Sequence, residues 1–283
     1  MSEKPLYSVA RIRQIMEDAG LPFLKKWGQN FLTDGNLIKK IVAGAGITSE
    51  DVVLEIGPGI GTLTEALLPL AKRVIAVEID GRLIPILTKN FQDYANFHLL
   101  HADALQLDLV ALLQKEAPGE RVQVVANLPY YITTPLLERL LNPKLPVNRC
   151  TLMVQKEVAE RMTAAPSTKE YGSLTLFIAC YARAQILFPA PKTVFFPAPK
   201  VDSAVVRLDR RESPDGVDVA RVSHWIQCAF QNRRKTVLNS LQNGEAIDKT
   251  ALKEALQKRG IPLQARAEDL RLEDYLALAR ELF

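Results

Sequence analysis

The chain has 283 residues, 48% of them hydrophobic and 24% charged, with a net charge of +4. This composition excludes a disordered or low-complexity protein and fits one large globular domain, or one with a smaller partner; the mild basic excess is compatible with a polyanionic partner without establishing one. No signal-peptide core opens the chain, no apolar run approaches the roughly 18 residues that span a bilayer, and Cys150, Cys180 and Cys228 form no CxxC pair, so a cytoplasmic, monomeric protein without membrane, disulfide framework or structural metal is expected.

In chain order, residues 36–46 carry apolar residues at helical spacing and end in glycine, which predicts a helix stopping between Gly44 and Gly46. VVLEI (52–56) then predicts a buried strand with a glycine turn behind it. Helices are expected at 62–71, 82–90 and 106–115, alternating with strands at 73–79, 97–100 and 122–126. Such alternation implies a doubly wound α/β fold whose parallel sheet binds ligands beyond the carboxyl ends of its strands. Helices follow at 134–141 and 155–163, and 173–188 and 201–208 read as core strands or a helix and strand mixture. The charged, Pro- and Gly-containing segment 209–218 predicts a linker. Helical patterns at 219–241, 248–259 and 268–281 then predict a small all-helical domain, so the boundary is placed between a domain at 1–208, with an N-terminal helical segment, and a second at 209–283.

EIGPGIGTLT (55–64) follows the first strand. Its glycines let a backbone approach a ligand at a helix N-terminus, but the dinucleotide fingerprint GxGxxG fails because position 62 is Thr. The GxGxG turn resembles the first motif of S-adenosylmethionine (SAM) methyltransferases of the doubly wound class. Glu78 ends the second strand, where a carboxylate can accept both hydroxyls of a ribose diol, and Asp103 in HADAL lies at the same edge, able to accept from an adenine amino group. His98 and His101 have no third ligand at metal spacing.

VVANLPYYITTP (124–135) runs a buried strand into an amide, a rigid turn and two tyrosines. Asn and Pro also end strands for ordinary reasons. Beside a bound methyl donor, however, the Asn127 side-chain oxygen and the Leu128 carbonyl can accept hydrogen bonds from an amine and leave its lone pair free; Pro129 fixes the turn and Tyr130 offers a face to a planar base.

WGQNFL (27–32), EIGPGIG (55–61), VEID (77–80), ADAL (102–105), NLPY (127–130), QKEVAERM (155–162), FFPAPKVDSAVV (195–206) and RRKTVLNSL (233–241) together resemble the bacterial small-subunit (16S) rRNA adenine N6,N6-dimethyltransferases, the KsgA/RsmA family. The resemblance covers nearly the whole chain in order. It implies SAM contacts at Asn30, Leu32, Gly57, Glu78, Asp103 and Asn127, with Gly59 in the same turn, and S-adenosylhomocysteine as product. It implies that Asn127 and Leu128 hold the target amine, with Tyr130 against the adenine and Phe195 on its opposite face. The reaction it implies is dimethylation of two adjacent adenosines near the 3′ end of 16S rRNA during assembly of the small ribosomal subunit. RNA phosphates would meet Arg233, Arg234 and Lys235.

Three other readings compete. The large-subunit rRNA adenine N6-methyltransferases of antibiotic resistance share the QNFL-like and NLPY-like motifs; FFPAPKVDSAVV and RRKTVLNSL favour the small-subunit enzymes. An NAD-dependent oxidoreductase is disfavoured by the missing third glycine. A binding-only assembly factor is disfavoured by intact Glu78, Asp103 and Asn127.

Overall fold

The computed structural model describes residues 5–22, 29–212, 217–231, 235–242 and 247–283. By its packing the chain divides into two units, Met1–Ala159 with Gln185–Arg210, and Glu160–Ala184 with Arg211–Phe283.

The first unit opens with helix α1 (Val9–Asp18), which buries Ile12, Ile15 and Met16, and a short strand β1 (Phe31–Leu32). Helix α2 (Gly35–Ala45) starts at Asp34, whose side chain accepts from the amides of Asn36 and Leu37, and stops where Gly46 turns left-handed at φ 64°. Strands β2 (Val52–Ile56), β3 (Arg73–Glu78), β4 (Phe97–His101) and β5 (Val122–Asn127) alternate with helices α3 (Thr64–Leu67), α4 (Ile84–Phe91) and α5 (Leu109–Glu116). All five residues of β2 are buried, as a strand covered on both faces requires. Each large aliphatic side chain there contributes about 1.5–3 kcal/mol of burial.

Helix α6 (Thr133–Leu140) leads to β6 (Val147–Gln155) and α7 (Lys156–Met162). Helix α8 (Ser173–Tyr181), β7 (Ala182–Ala190), β8 (Phe195–Phe196) and β9 (Ser203–Arg210) follow. The large sheet has the order β4-β3-β2-β5-β6-β9-β7, and β1 pairs separately with β8. Strands β2 to β6 pair in parallel, and β9 runs antiparallel to β6.

Strand order therefore reverses between β2 and β5, the switch point where such sheets leave a crevice. The β2–β5 ladder ends at Leu54 opposite Val124, so the last residues of both strands separate at that point. The glycine turn and the NLPY segment emerge on either side of the opening.

The second unit packs α8 with α9 (Val219–Phe230), α10 (Val237–Leu241), α11 (Lys249–Lys258) and α12 (Leu272–Leu282). Its core centres on wholly buried Trp225 and Tyr275, in an edge-to-face contact with centroids 6.3 Å apart. The polar ends of the buried aromatics are satisfied: Trp225 Nε1 donates to Leu241 O at 3.3 Å, Tyr275 to Ala267 O at 3.0 Å and Tyr171 to Leu270 O at 2.8 Å. Tyr171, Leu176 and Cys180 belong to this core, which is why residues 160–184 group with the tail, in contrast to the boundary at 208/209 expected from the sequence.

Candidate active site

The crevice at the switch point is lined from four directions: Gln29 to Leu32, the turn Gly57 to Gly59 with Glu55 beneath it, Glu78 and Ile79 at the end of β3, and Asn127 to Tyr130 after β5. Gly57 has φ 69°, and a β-carbon there would meet nothing within 4 Å, so its backbone borders open space. Gly61 is different in kind: at φ 94°, its missing β-carbon would lie 2.3 Å from the Phe91 ring, a packing requirement rather than a ligand one.

Glu78 is buried, yet both carboxylate oxygens are engaged, Oε2 by the Gly59 amide at 3.0 Å and Oε1 by the Asp80 amide at 2.8 Å. These bonds fix the carboxylate under the glycine turn and leave each oxygen a second lone pair. Burial raises its pKa, against the opposing effect of the two amides. Glu55, to which the motif alone assigns no role, is 1% exposed and accepts from Thr64 Oγ1 at 2.7 Å. Burial pushes its pKa up to about 8, opposed by Thr64 and reinforced by Glu78.

The strap 29–32 is tied down along its length. Gln29 Nε2 donates to Asp80 Oδ2 at 2.7 Å, and β1 pairs Phe31 with Phe196 and Leu32 with Phe195. Asp80 is itself held by Arg82, which keeps its carboxyl below the usual range. At the centre, Asn127 Nδ2 donates to the backbone carbonyl of Asn30 at 3.1 Å. The amide is thereby oriented, and among the described residues its Oδ1 accepts no hydrogen bond. Leu128 N donates to Met153 O at 3.1 Å, which fixes the peptide while its own carbonyl accepts nothing among the described residues. Pro129 sets the turn at φ −59°, and Tyr130 opens a short 3-10 turn (Tyr130–Ile132) with its hydroxyl 2.6 Å from Ser203 Oγ.

Asn30, Leu32, Gly57, Gly59, Glu78, Asn127, Leu128, Pro129 and Tyr130 thus surround one crevice. Asp103 stands two residues beyond β4, outside this lining, with Oδ1 accepting from the Leu105 amide at 2.8 Å. After burial, its charge and that of Glu78 raise the pKa of exposed Tyr131. Phe195 is buried in the core at 4% exposure and presents no open face. Pairing with Leu32 turns it inward, and its neighbour Phe196, half-buried beneath the Arg13 guanidinium at 4.9 Å, is the more accessible ring. Lys235 is exposed in the second unit, while Arg233 and Arg234 lie outside the described residues. His98 pairs with Glu116 at 3.1 Å and His101 with Ile79 O at 3.3 Å. Among the described residues no three potential metal ligands cluster, and no helix is long and apolar enough to cross a membrane.

A family model described as ribosomal RNA adenine dimethylase matches residues 21–283. The chain belongs to that family. It is 43% identical over 279 residues, 97% of each chain, to the ribosomal RNA small subunit methyltransferase A of Alkaliphilus oremlandii, and 43% identical over 286 residues to that of Geobacillus sp. strain WCH70, covering 99% of this chain and 98% of the relative. A dimethyladenosine transferase from Plasmodium falciparum superposes with a TM-score of 0.74 at 30% identity, covering 88% of this chain and 95% of the other. The 23S rRNA methyltransferase ErmE superposes with a TM-score of 0.70 at 28% identity, covering 89% and 99%. The protein is an rRNA adenine dimethyltransferase with the Rossmann-like sheet of its family.

Proposed function

We propose that the protein transfers methyl groups from SAM to N6 of two adjacent adenosines near the 3′ end of small-subunit 16S rRNA, in the cytoplasm, during assembly of the subunit. The observation that carries this reading is the Asn127 amide, oriented by Asn30 so that Oδ1 and the Leu128 carbonyl are two acceptors beside the glycine turn. An exocyclic amine needs this pair, because accepting both of its protons aligns the nitrogen lone pair.

The residues fit the cofactor. Open space above Gly57 admits a ligand against the backbone, and the Glu78 oxygens keep lone pairs for two ribose hydroxyls. Asp103 would receive the adenine amino group. When bound, SAM supplies an electrophilic methyl group. No early general base is needed, since the amine proton can leave to water after transfer. Positioning and electrostatics then make up the chemistry of the chain itself.

Reaching N6 requires the adenosine to leave its stack, and Tyr130 offers a compensating face, with Phe196, more open than buried Phe195, on the other side. The small subunit as substrate is supported by the names and 43% identity of relatives matched almost end to end. Arg233, Arg234 and Lys235 would meet phosphates. The test is transfer of labelled methyl to unmethylated small subunits and to protein-free large-subunit rRNA, with nucleoside analysis. Dimethyladenosine confined to small-subunit RNA supports the reading, and label in large-subunit RNA or in neither overturns it.

A further inference from the structure

Tyr130 stands on a three-residue turn in which no side chain is buried, so the turn itself does little to brace its ring. The far end of the ring is tied to another part of the chain: the hydroxyl and Ser203 Oγ lie 2.6 Å apart, in a bond that either group can donate. Ser203 is fully buried and opens β9, in register with Gln155 at the end of β6. Its surroundings are pinned twice more, since Lys156 N donates to Asp202 O at 3.0 Å and Lys192 N to Asp202 Oδ1 at 2.9 Å. The start of β9 thus provides a fixed post, and the phenol is attached to it.

We infer that Ser203 is a positioning residue for methyl transfer, fixing the plane of Tyr130 so that a stacked adenine sits at one depth from Asn127 Oδ1 and the Leu128 carbonyl. The inference rests on the reading of Tyr130 as the face against the base. A phenylalanine at 130 would stack equally well but could swing about its first side-chain torsion. An anchored hydroxyl removes that freedom before the base arrives, and positioning of this kind acts on the rate of the chemical step rather than on cofactor binding. A bond that only satisfied the buried Ser203 hydroxyl would alter stability and leave the rate unchanged.

The experiment compares Ser203→Ala, Tyr130→Phe, the double variant and Tyr130→Ala in single-turnover methylation at saturating RNA. KM for SAM is measured alongside, and 2-aminopurine fluorescence at the target adenosine reports stacking. Ser203→Ala and Tyr130→Phe should each slow transfer about 10-fold. Each should leave KM for SAM within about two-fold and weaken quenching of the unstacked base. The double variant should be no slower than either single one, because both remove the same bond. If Ser203→Ala folds poorly, Tyr130→Phe removes that bond from the other side. Wild-type rates and quenching for Ser203→Ala and Tyr130→Phe beside a slow Tyr130→Ala, or additive losses in the double variant, overturn the inference and leave the stacking role intact. A wild-type rate for Tyr130→Ala overturns the reading beneath it.

Discussion

Asn127 Nδ2 donates to the main-chain carbonyl of Asn30 at 3.1 Å, across 97 residues of sequence. The residue proposed to hold the substrate amine is therefore oriented by a strap far from it in sequence that lines the same crevice. That strap is held by Gln29, whose side chain donates to Asp80 at 2.7 Å. Gln29→Ala should loosen the carbonyl that orients Asn127 and lower kcat about 10-fold, with Tm almost unchanged. Steady-state kinetics and a thermal melt on one preparation check this.

Gly57 and Gly61 belong to one motif but should fail differently. Gly57→Ala adds a methyl group facing open space at φ 69°, so it should weaken binding of S-adenosylhomocysteine in calorimetric titration and cost about 1–2 kcal/mol of backbone strain. Gly61→Ala places its methyl 2.3 Å from Phe91, so the loss should appear first as a lower Tm.

Glu55 makes stability pH-dependent in a direction unusual for a carboxyl group. Its pKa is raised from 4.5 to about 8, so the folded state binds the extra proton between those values. Its contribution is fully present below the lower value and is lost as pH rises through the higher one. Glu55→Gln keeps an acceptor for Thr64 without the charge, so its Tm should exceed that of the wild type at pH 9 and the difference should shrink towards pH 5. Melts across that range check the sign.

Neutralising Arg233, Arg234 and Lys235 should weaken RNA binding and flatten its salt dependence by roughly 0.7–0.9 log units of slope for each RNA phosphate left without its cation. Filter binding at several salt concentrations reads both quantities. Unchanged slopes would make the cluster an ordinary solvated face.

Much of the fold was legible because β2 to β5 are short apolar runs separated by turn residues, and each lies within a residue or two of its expected place. The strand β6 was missed. VNRCTLMVQ mixes polar and apolar residues without strict alternation, since it lies inside the sheet between β5 and β9 and its residues from Cys150 to Val154 are buried in succession, leaving no polar face. The expected helix at 62–71 is α-helical only over Thr64–Leu67, where turns on either side accommodate the glycine motif. Residues 173–188 were read as a mixture and are a helix followed by a strand. At the site, motif residues at strand ends were readable because topology brings those ends together. Glu55, Gln29 and Ser203 were not assigned roles, because their importance lies in partners such as Thr64, Asp80 and Tyr130 that only the folded chain brings near.

Single-turnover methyl transfer by Asn127→Ala, read with RNA affinity on the same preparation, decides whether this amide holds the substrate. Removing the oriented acceptor should slow transfer about 100-fold, the scale of losing one preorganised polar group at a reacting centre. RNA affinity should stay close to that of the wild type, because phosphate contacts supply most of it. A near-normal rate would mean that this amide does not hold the adenine amine for attack.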